Sequence, residues 1–360
     1  MEWIVFVLNP GSTSTKTALF QGQTCLFQET VRHADQDLQQ AAELIDQMPL
    51  RLTAIESSLI SAVTQNNLTV HDIDAFIGRG GLVRPVVSGT YRISTDMLDD
   101  LASSRYGIHA CNLGAMIASQ LSQRFGKPAF IVDPPTVDEM SNLARYSGLP
   151  EIPRQSAFHA LNQKIAARRA AADLGLDYGR CNLIVAHMGG GISIGVHQQG
   201  RVVDVTHGMD EGPFTPERAG SLPTLPLLRL MWQSGADPEQ MRRKLVGKGG
   251  LYAYTGTVDA RKVEEEAEHN PLWLEVLQAM AYQIAKSIAS MAAVVDGQVA
   301  AIVLTGGLAR SVLLTREIGR RVGFLGPLRV YPGEFEMEAL AQGGIRVLEG
   351  KEMALEYTHD

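Results

Sequence analysis

A segment plan that occurs twice constrains this chain more than any other feature. The first copy is WIVFVLNPGSTSTKTALFQGQTCLFQETV, and the second is NLIVAHMGGGISIGVHQQGRVVDVT, about 180 residues later. Each reads as strand, polar glycine turn, strand, glycine hairpin, strand. Gly11 and Gly22 mark the turns of the first copy; Gly189 to Gly191 and Gly200 mark those of the second. Neither copy buries a core by itself, so each requires crossover helices and further strands. Two copies imply a duplicated domain.

Those further elements are legible. DLQQAAELIDQM places Leu38, Ala41, Ile45 and Met48 at helical spacing, with Asp35 or Asp37 as a cap. RLTAIESSLISAV repeats the pattern. AFIGRGG and AFIVDPPT end strands at a glycine turn and at Asp133. In the second half, HALNQKIAARRAAADLG is a helix stopped by Gly175, and LWLEVLQAMAYQIAKSIASMAAVVDG is a long one stopped by Gly297. VAAIVLTGGLA is a buried strand entering a Gly-Gly turn, and RVYPG leads to a final helix, EFEMEALAQGGIRVLEG. Alternating strands and helices mean an α/β architecture. The Gly- and Pro-rich SGLPEIPRQS sets a boundary near residue 150. The expected domains are 1–150, joined by the final helix at 334–360, and 151–333.

Bulk properties exclude several classes. The 360 residues suffice for two domains. A net charge of −7 argues against nucleic acid as an electrostatic partner. Cys25, Cys111 and Cys181 are scattered, which suggests neither a disulfide framework nor a zinc site. No apolar run approaches the ~18 residues of a membrane span, and the N-terminus does not read as a signal peptide. A cytoplasmic protein without a membrane partner is expected.

NPGSTSTK invites comparison with a P-loop, but a P-loop needs glycines where Pro10 and Thr15 stand, and a helix where TALF reads as a strand. It is either a plain polar hairpin or one whose hydroxyls, amide and backbone N–H groups bind phosphate. HMGGGIS is either a flexible turn or bare backbone that a phosphate can approach closely. LTGGLAR offers Gly306 and Gly307 at a strand-to-helix turn where a flat ring could lie. Arg79 in GRGG and Arg218 in EGPFTPERAGSLP are solvated loop arginines, or a pair suited to a phosphoryl group and a carboxylate. Asp133 caps a turn, or serves Mg²⁺ or a nucleophile. Glu338 complements a helix dipole or acts on a metal. His159 is a helix-start histidine or a donor to a reacting phosphate. As a set, the motifs form a nucleotide site across a cleft of the duplicated fold.

VLNPGSTSTK, GRGGLVRP, FHALNQK, AHMGGGISIG, MDEGPFTPERAGSLP and LTGGLA, in this order over nearly the whole chain, resemble the acetate and butyrate kinase family of the sugar kinase, Hsp70 and actin superfamily. DPP, PFTPERAG and YPGE resemble its butyrate kinase branch. The resemblance implies two ribonuclease-H-like, actin-like ATPase domains with a central cleft. It implies reversible transfer of the ATP γ-phosphate to butyrate, isobutyrate or a related short-chain carboxylate, giving ADP and an acyl phosphate, with Mg²⁺. By motif position it assigns Asn9, Ser12, Ser14 and Lys16 to a first phosphate element. Gly189, Gly190 and Gly191 fall in a second, and Gly306 and Gly307 in an adenosine element. Arg79, Arg218, Asp133 and His159 match catalytic residues, and Glu338, with Asp133, matches the magnesium-linked acid. A homo-oligomer is expected. The rival readings are an acetate, propionate or branched-acid kinase and, from another class, a non-catalytic nucleotide-dependent binding protein of the same fold.

Overall fold

A computed structural model describes residues 2–39, 41 and 43–359. The chain divides into two compact units. Unit 1 comprises Met1–Val137 and Phe335–Asp360, and unit 2 comprises Asp138–Glu334. The division thus falls at Val137/Asp138, ahead of the Gly- and Pro-rich segment near residue 150.

Unit 1 opens with β1 (Ile4–Pro10), β2 (Ser14–Gln21) and β3 (Thr24–Arg32). There follow α1 (Asp35–Gln39), α2 (Met48–Gln65), β4 (Ala75–Arg79), β5 (Thr90–Arg92), α3 (Thr95–Ala102), α4 (Asn112–Phe125) and β6 (Ala129–Val132). The sheet order is β3-β2-β1-β4-β6-β5. β1, β2 and β3 run antiparallel, and β1, β4 and β6 run parallel. β1 is apolar from Ile4 to Leu8 because both its faces are covered. Phe6, Leu8, Leu19 and Phe76 pack with Ile55 and Leu59 of α2 and Ile117 and Leu121 of α4.

In unit 2, α5 (Ala160–Asp173) precedes β7 (Asn182–Met188), β8 (Ile192–Gln198) and β9 (Arg201–Val205). Then come α6 (Thr224–Ser234), α7 (Pro238–Leu245), α8 (Gly250–Thr255), α9 (Ala260–Glu266) and α10 (Pro271–Met291). β10 (Ala301–Gly306), α11 (Val312–Val322) and β11 (Leu328–Pro332) complete it. The order is β11-β10-β7-β8-β9. β7, β8 and β9 are antiparallel, while β7, β10 and β11 are parallel. Strand for strand this repeats β3-β2-β1-β4-β6 with the same senses, so the fold is a duplicated α/β domain. Leu183, Val185 and Val303 face α5. Ile184, Ala186, Ile302 and Leu304 face α10 and α11.

The final helix, α12 (Glu336–Leu348), belongs to unit 1. It lies on the sheet face opposite α2 and α4, so close that a Cβ on Gly344 would meet Ile77 Cδ1 at 2.3 Å.

One expected helix is corrected. Residues 37–48 do not form a single helix: α1 ends at Gln39, Leu44–Gln47 is a 3-10 turn, and α2 starts at Met48. Pro49 has no N–H to donate and clashes with the preceding turn inside a helix, so it sits where a new one begins. Gln40, Ala42 and the Asp35 side chain, part of that expectation, lie outside the described residues.

Candidate active site

In unit 1 the NPGSTSTK segment is the hairpin joining β1 and β2. Gly11 N–H donates to Ser14 O at 2.7 Å, and Asn9 faces Lys16 in the register. Ser12 and Thr13 are exposed at its tip, while Asn9 is 6% exposed. Asn9 Nδ2 donates to Glu336 Oε2 at 2.8 Å, and Arg79, the last residue of β4, donates to Glu336 Oε1. Glu336 is the first residue of α12. Residues two apart on a helix point in widely different directions, so Glu338 does not share that position. Its charge is felt instead at Cys25 of β3, whose thiol is pushed up by burial and then by Glu338. The acid beside Asn9 and Arg79 is therefore Glu336, which the sequence reading did not single out.

Near Arg79 stand His109 and Cys111, with His109 Nδ1 3.0 Å from the thiol. Burial, and then the Arg79 charge, lowers the pKa of His109. Burial pushes the Cys111 thiol up to about 11 against the opposing pull of Arg79. Asp133, just after β6, has a φ of 40°, a left-handed conformation uncommon for a non-glycine residue. Its Oδ1 accepts from Ser88 Oγ at 2.6 Å and from Gly89 N at 2.9 Å, which fixes the carboxylate.

In unit 2, His159 caps α5, its Nδ1 accepting from Asn162 N at 3.4 Å. Its ring lies 4.6 Å from that of His187 on β7. Asn162, fully buried, brings Nδ2 to 2.7 Å from His187 Nδ1 and donates to Thr305 Oγ1 at 3.2 Å. This polar knot ties α5 to β7 and β10, directly below both glycine turns. The first turn closes through Gly189 N–H to Gly191 O at 2.8 Å. A Cβ on Gly191 would meet Arg218 Nη1 at 2.4 Å, so the guanidinium lies against bare backbone. Arg218 Nη1 donates to Gly208 O at 2.6 Å, and its buried Nε has no hydrogen-bond partner among the described residues. Thr215 Oγ1 secures the loop, donating to Gly190 O at 2.6 Å and accepting from Arg218 N at 3.0 Å. Gly306, at a φ of 91°, presses on Met188 O, where a Cβ would come within 2.4 Å.

Beside these turns opens a cavity of about 590 Å³, a size that suits a small-molecule ligand. Gly189, Gly190, Gly307, Asp259, Arg261 and Glu334 are among its walls. Among the described residues no cluster of three or more His, Cys, Asp or Glu could hold a metal by itself, and no helix is long and apolar enough to cross a membrane.

Comparison with known proteins bears directly on this arrangement. Residues 150–330 match the acetokinase family. The chain is 44% identical to butyrate kinase 2 of Clostridium acetobutylicum, over 99% of this chain and 100% of that one. The chain belongs to the acetokinase family. A probable butyrate kinase of Enterococcus faecalis is 46% identical, over 98% of this chain and 97% of its own. The crystal structure of Porphyromonas gingivalis acetate kinase shares the fold with a TM-score of 0.77 at 20% identity, covering 96% of this chain and all of that one. Together these establish a carboxylate kinase on duplicated actin-like ATPase domains, and kinase chemistry implies a nucleotide such as ATP as donor.

Within this acetokinase chain, unit 1 brings Asn9 and Arg79 together through Glu336. Unit 2 brings His159, Gly189 to Gly191, Arg218, Gly306 and Gly307 together around β7 and β10. Asn162 and His187 were not singled out from the sequence, although FHALNQK and AHMGGG contain them. The Asp259–Arg261 wall of the cavity carried no sequence signal.

Proposed function

We propose that the chain transfers the γ-phosphoryl group of ATP reversibly to the carboxylate of a short-chain fatty acid, butyrate foremost, giving ADP and the acyl phosphate. The full-length likeness to relatives named butyrate kinases carries this reading. A carboxylate is ionised at neutral pH, so the acceptor needs no strong general base. The barrier is the approach of one anion to another, and fixed cationic and N–H donors lower it.

On this reading the Asn9–Lys16 hairpin and the turn of Gly189 to Gly191 bind phosphate oxygens. Gly306, Gly307 and the adjoining cavity hold the nucleoside. Arg218, with its unused buried Nε, and Arg79, oriented by Glu336, bind the acyl and phosphoryl oxygens. His159, fixed at Nδ1, donates to the transferring phosphate.

Mg²⁺ fits the residues present. This ion uses one or two carboxylates and completes its shell with waters and phosphate oxygens, so a dense acidic cluster is not required. Asp133, its carboxylate already fixed by Ser88 and Gly89, would hold it. When bound, it supplies charge neutralisation to the phosphates. The reading also expects a cytoplasmic homo-oligomer, whose state sedimentation would measure.

The test is direct. Purified protein with ATP, Mg²⁺ and a C2 to C5 acid is expected to yield a hydroxylamine-trappable acyl phosphate. The absence of acyl hydroxamate for every acid in that range refutes the reading.

A further inference from the structure

Arg51 of α2 is fully buried behind the β1–β2 hairpin. Among the described residues it makes five hydrogen bonds, all to neutral oxygens. Nε and Nη2 donate to Gln47 Oε1 at 3.2 and 3.0 Å. Nη2 also donates to Ser12 O at 3.2 Å, and Nη1 donates to Ser14 O at 3.4 Å and Thr15 Oγ1 at 3.1 Å. Among the described residues no carboxylate pairs with it. The neighbouring acid, exposed Asp37, acts on His33, which in turn meets Thr15 Oγ1 at 2.8 Å. A buried cation without a counter-ion is costly. Burial accordingly lowers the Arg51 pKa, and no charged group among the described residues offsets it.

The hairpin shows a second, independent feature. In a trans peptide C=O and N–H point in opposite directions. Arg51 draws Ser12 O inward, so the amide of Thr13 is turned outward. Among the described residues the amides of Ser12 and Thr13 donate no hydrogen bond, and both residues are exposed. Free amides on one side and an uncompensated cation on the other make the hairpin an anion receptor with its charge placed behind the backbone.

We propose that Arg51 is a positioning residue of this receptor. It fixes the outward amides of the Asn9–Lys16 hairpin, and its buried charge takes as counter-ion the phosphate group bound there. The proposal rests on the phosphoryl-transfer reading and assigns it a cation that does not touch the substrate.

The decisive variant is Gln47→Glu, which puts a carboxylate of nearly the same shape where Arg51 already donates. It supplies the missing counter-ion from within. The melting temperature without ligand is expected to hold or rise. ATP affinity, and the rise in melting temperature caused by inorganic phosphate, are expected to fall, the former on the order of tenfold. Arg51→Met should lose the same phosphate response, and Arg51→Lys should recover part of it. Parent-like phosphate and ATP binding in Gln47→Glu, or a lower melting temperature in the absence of ligand, overturns the proposal. If Arg51→Met does not fold, Gln47→Glu decides alone. Phosphate thermal shifts need no acceptor acid. A parent that makes no acyl phosphate, yet loses its phosphate response in Gln47→Glu, therefore defeats the kinase reading and leaves the role of Arg51 standing.

Discussion

Asn9 and Glu336 are joined by a 2.8 Å hydrogen bond across 327 residues of sequence. The same carboxylate holds Arg79. One acid on α12 thus orients an amide on β1 and a guanidinium on β4, and it spaces the two within a single unit.

Arg79→Ala is expected to lower kcat by on the order of 10²–10⁴, because a donor aimed at developing charge matters most in the transition state. Arg79→Lys should recover little, since a point charge does not reproduce the fork. Glu336→Gln, which leaves Arg79 charged but less firmly held, should cost about tenfold. Steady-state kinetics with thermal melts as a control check all three. Unchanged kcat in Arg79→Ala removes that arginine from the mechanism.

Gly191 and Gly190 are neighbours with opposite expectations. Alanine at Gly191 must displace the Arg218 guanidinium, whereas at Gly190 the nearest atom, Glu217 Oε1, is 3.4 Å away. Gly191→Ala should cut kcat by about 10²-fold, as misplacement of a catalytic group by an ångström does. Gly190→Ala should stay within a few-fold of the parent. Equal losses in both variants would mean that the turn works through its flexibility and not through Arg218.

If apolar burial selects the acid's tail, each methylene should change kcat/KM by roughly 1–3 kcal/mol. Butyrate should exceed acetate clearly, and branched acids should be accepted in part. The check is a kcat/KM series over C2 to C5 acids. Acetate in first place would reassign the substrate and keep the carboxylate kinase.

Stability should fall on the acid side. His197 is fully buried between Tyr178 OH, 2.8 Å from Nδ1, and Gln163 Oε1, 3.2 Å from Nε2. Burial, and then Lys164 and Arg168, holds its pKa well below the usual 6.5. The unfolded chain therefore binds a proton that the folded one refuses. The contribution is fully present above pH 6.5 and is lost as pH falls from there toward the folded pKa. Melting temperatures from pH 8 to 5 should decline, and His197→Gln should flatten part of that decline. A variant with the parent's slope assigns the acid lability elsewhere.

The duplicated strand units were readable because hairpins are local: glycine turns and alternating runs sit a few residues apart. α5 and α10 were readable for the same reason, through their periodicity and glycine stops. The site was less so. EFEME contains two candidate glutamates, and only the packing of α12 on β1 and β4 sets the helical phase that turns Glu336 toward Asn9. His187 looked ordinary because its partner Asn162 lies on another element, 25 residues away. The break before α2 was there to be read in Pro49, but the apolar spacing on either side of it suggests continuity. The Asp259–Arg261 wall belongs to the stretch between β9 and β10, whose counterpart between β3 and β4 is far shorter and carries only α1, a 3-10 turn, α2 and a second short 3-10 turn.

The placement of α12 also sets an order of assembly. Its Leu340, Ala341 and Ile345 are buried in unit 1, so that unit lacks one side of its sheet until residues beyond Glu336 have been synthesised. Asp138–Glu334 is continuous in sequence and needs no such addition. On the ribosome the N-terminal unit therefore cannot finish ahead of the C-terminal one, as N-terminal domains usually do. Throughout synthesis of the second unit β1 and β4 stay uncovered on one face, and that interval is when the nascent chain most needs protection from aggregation.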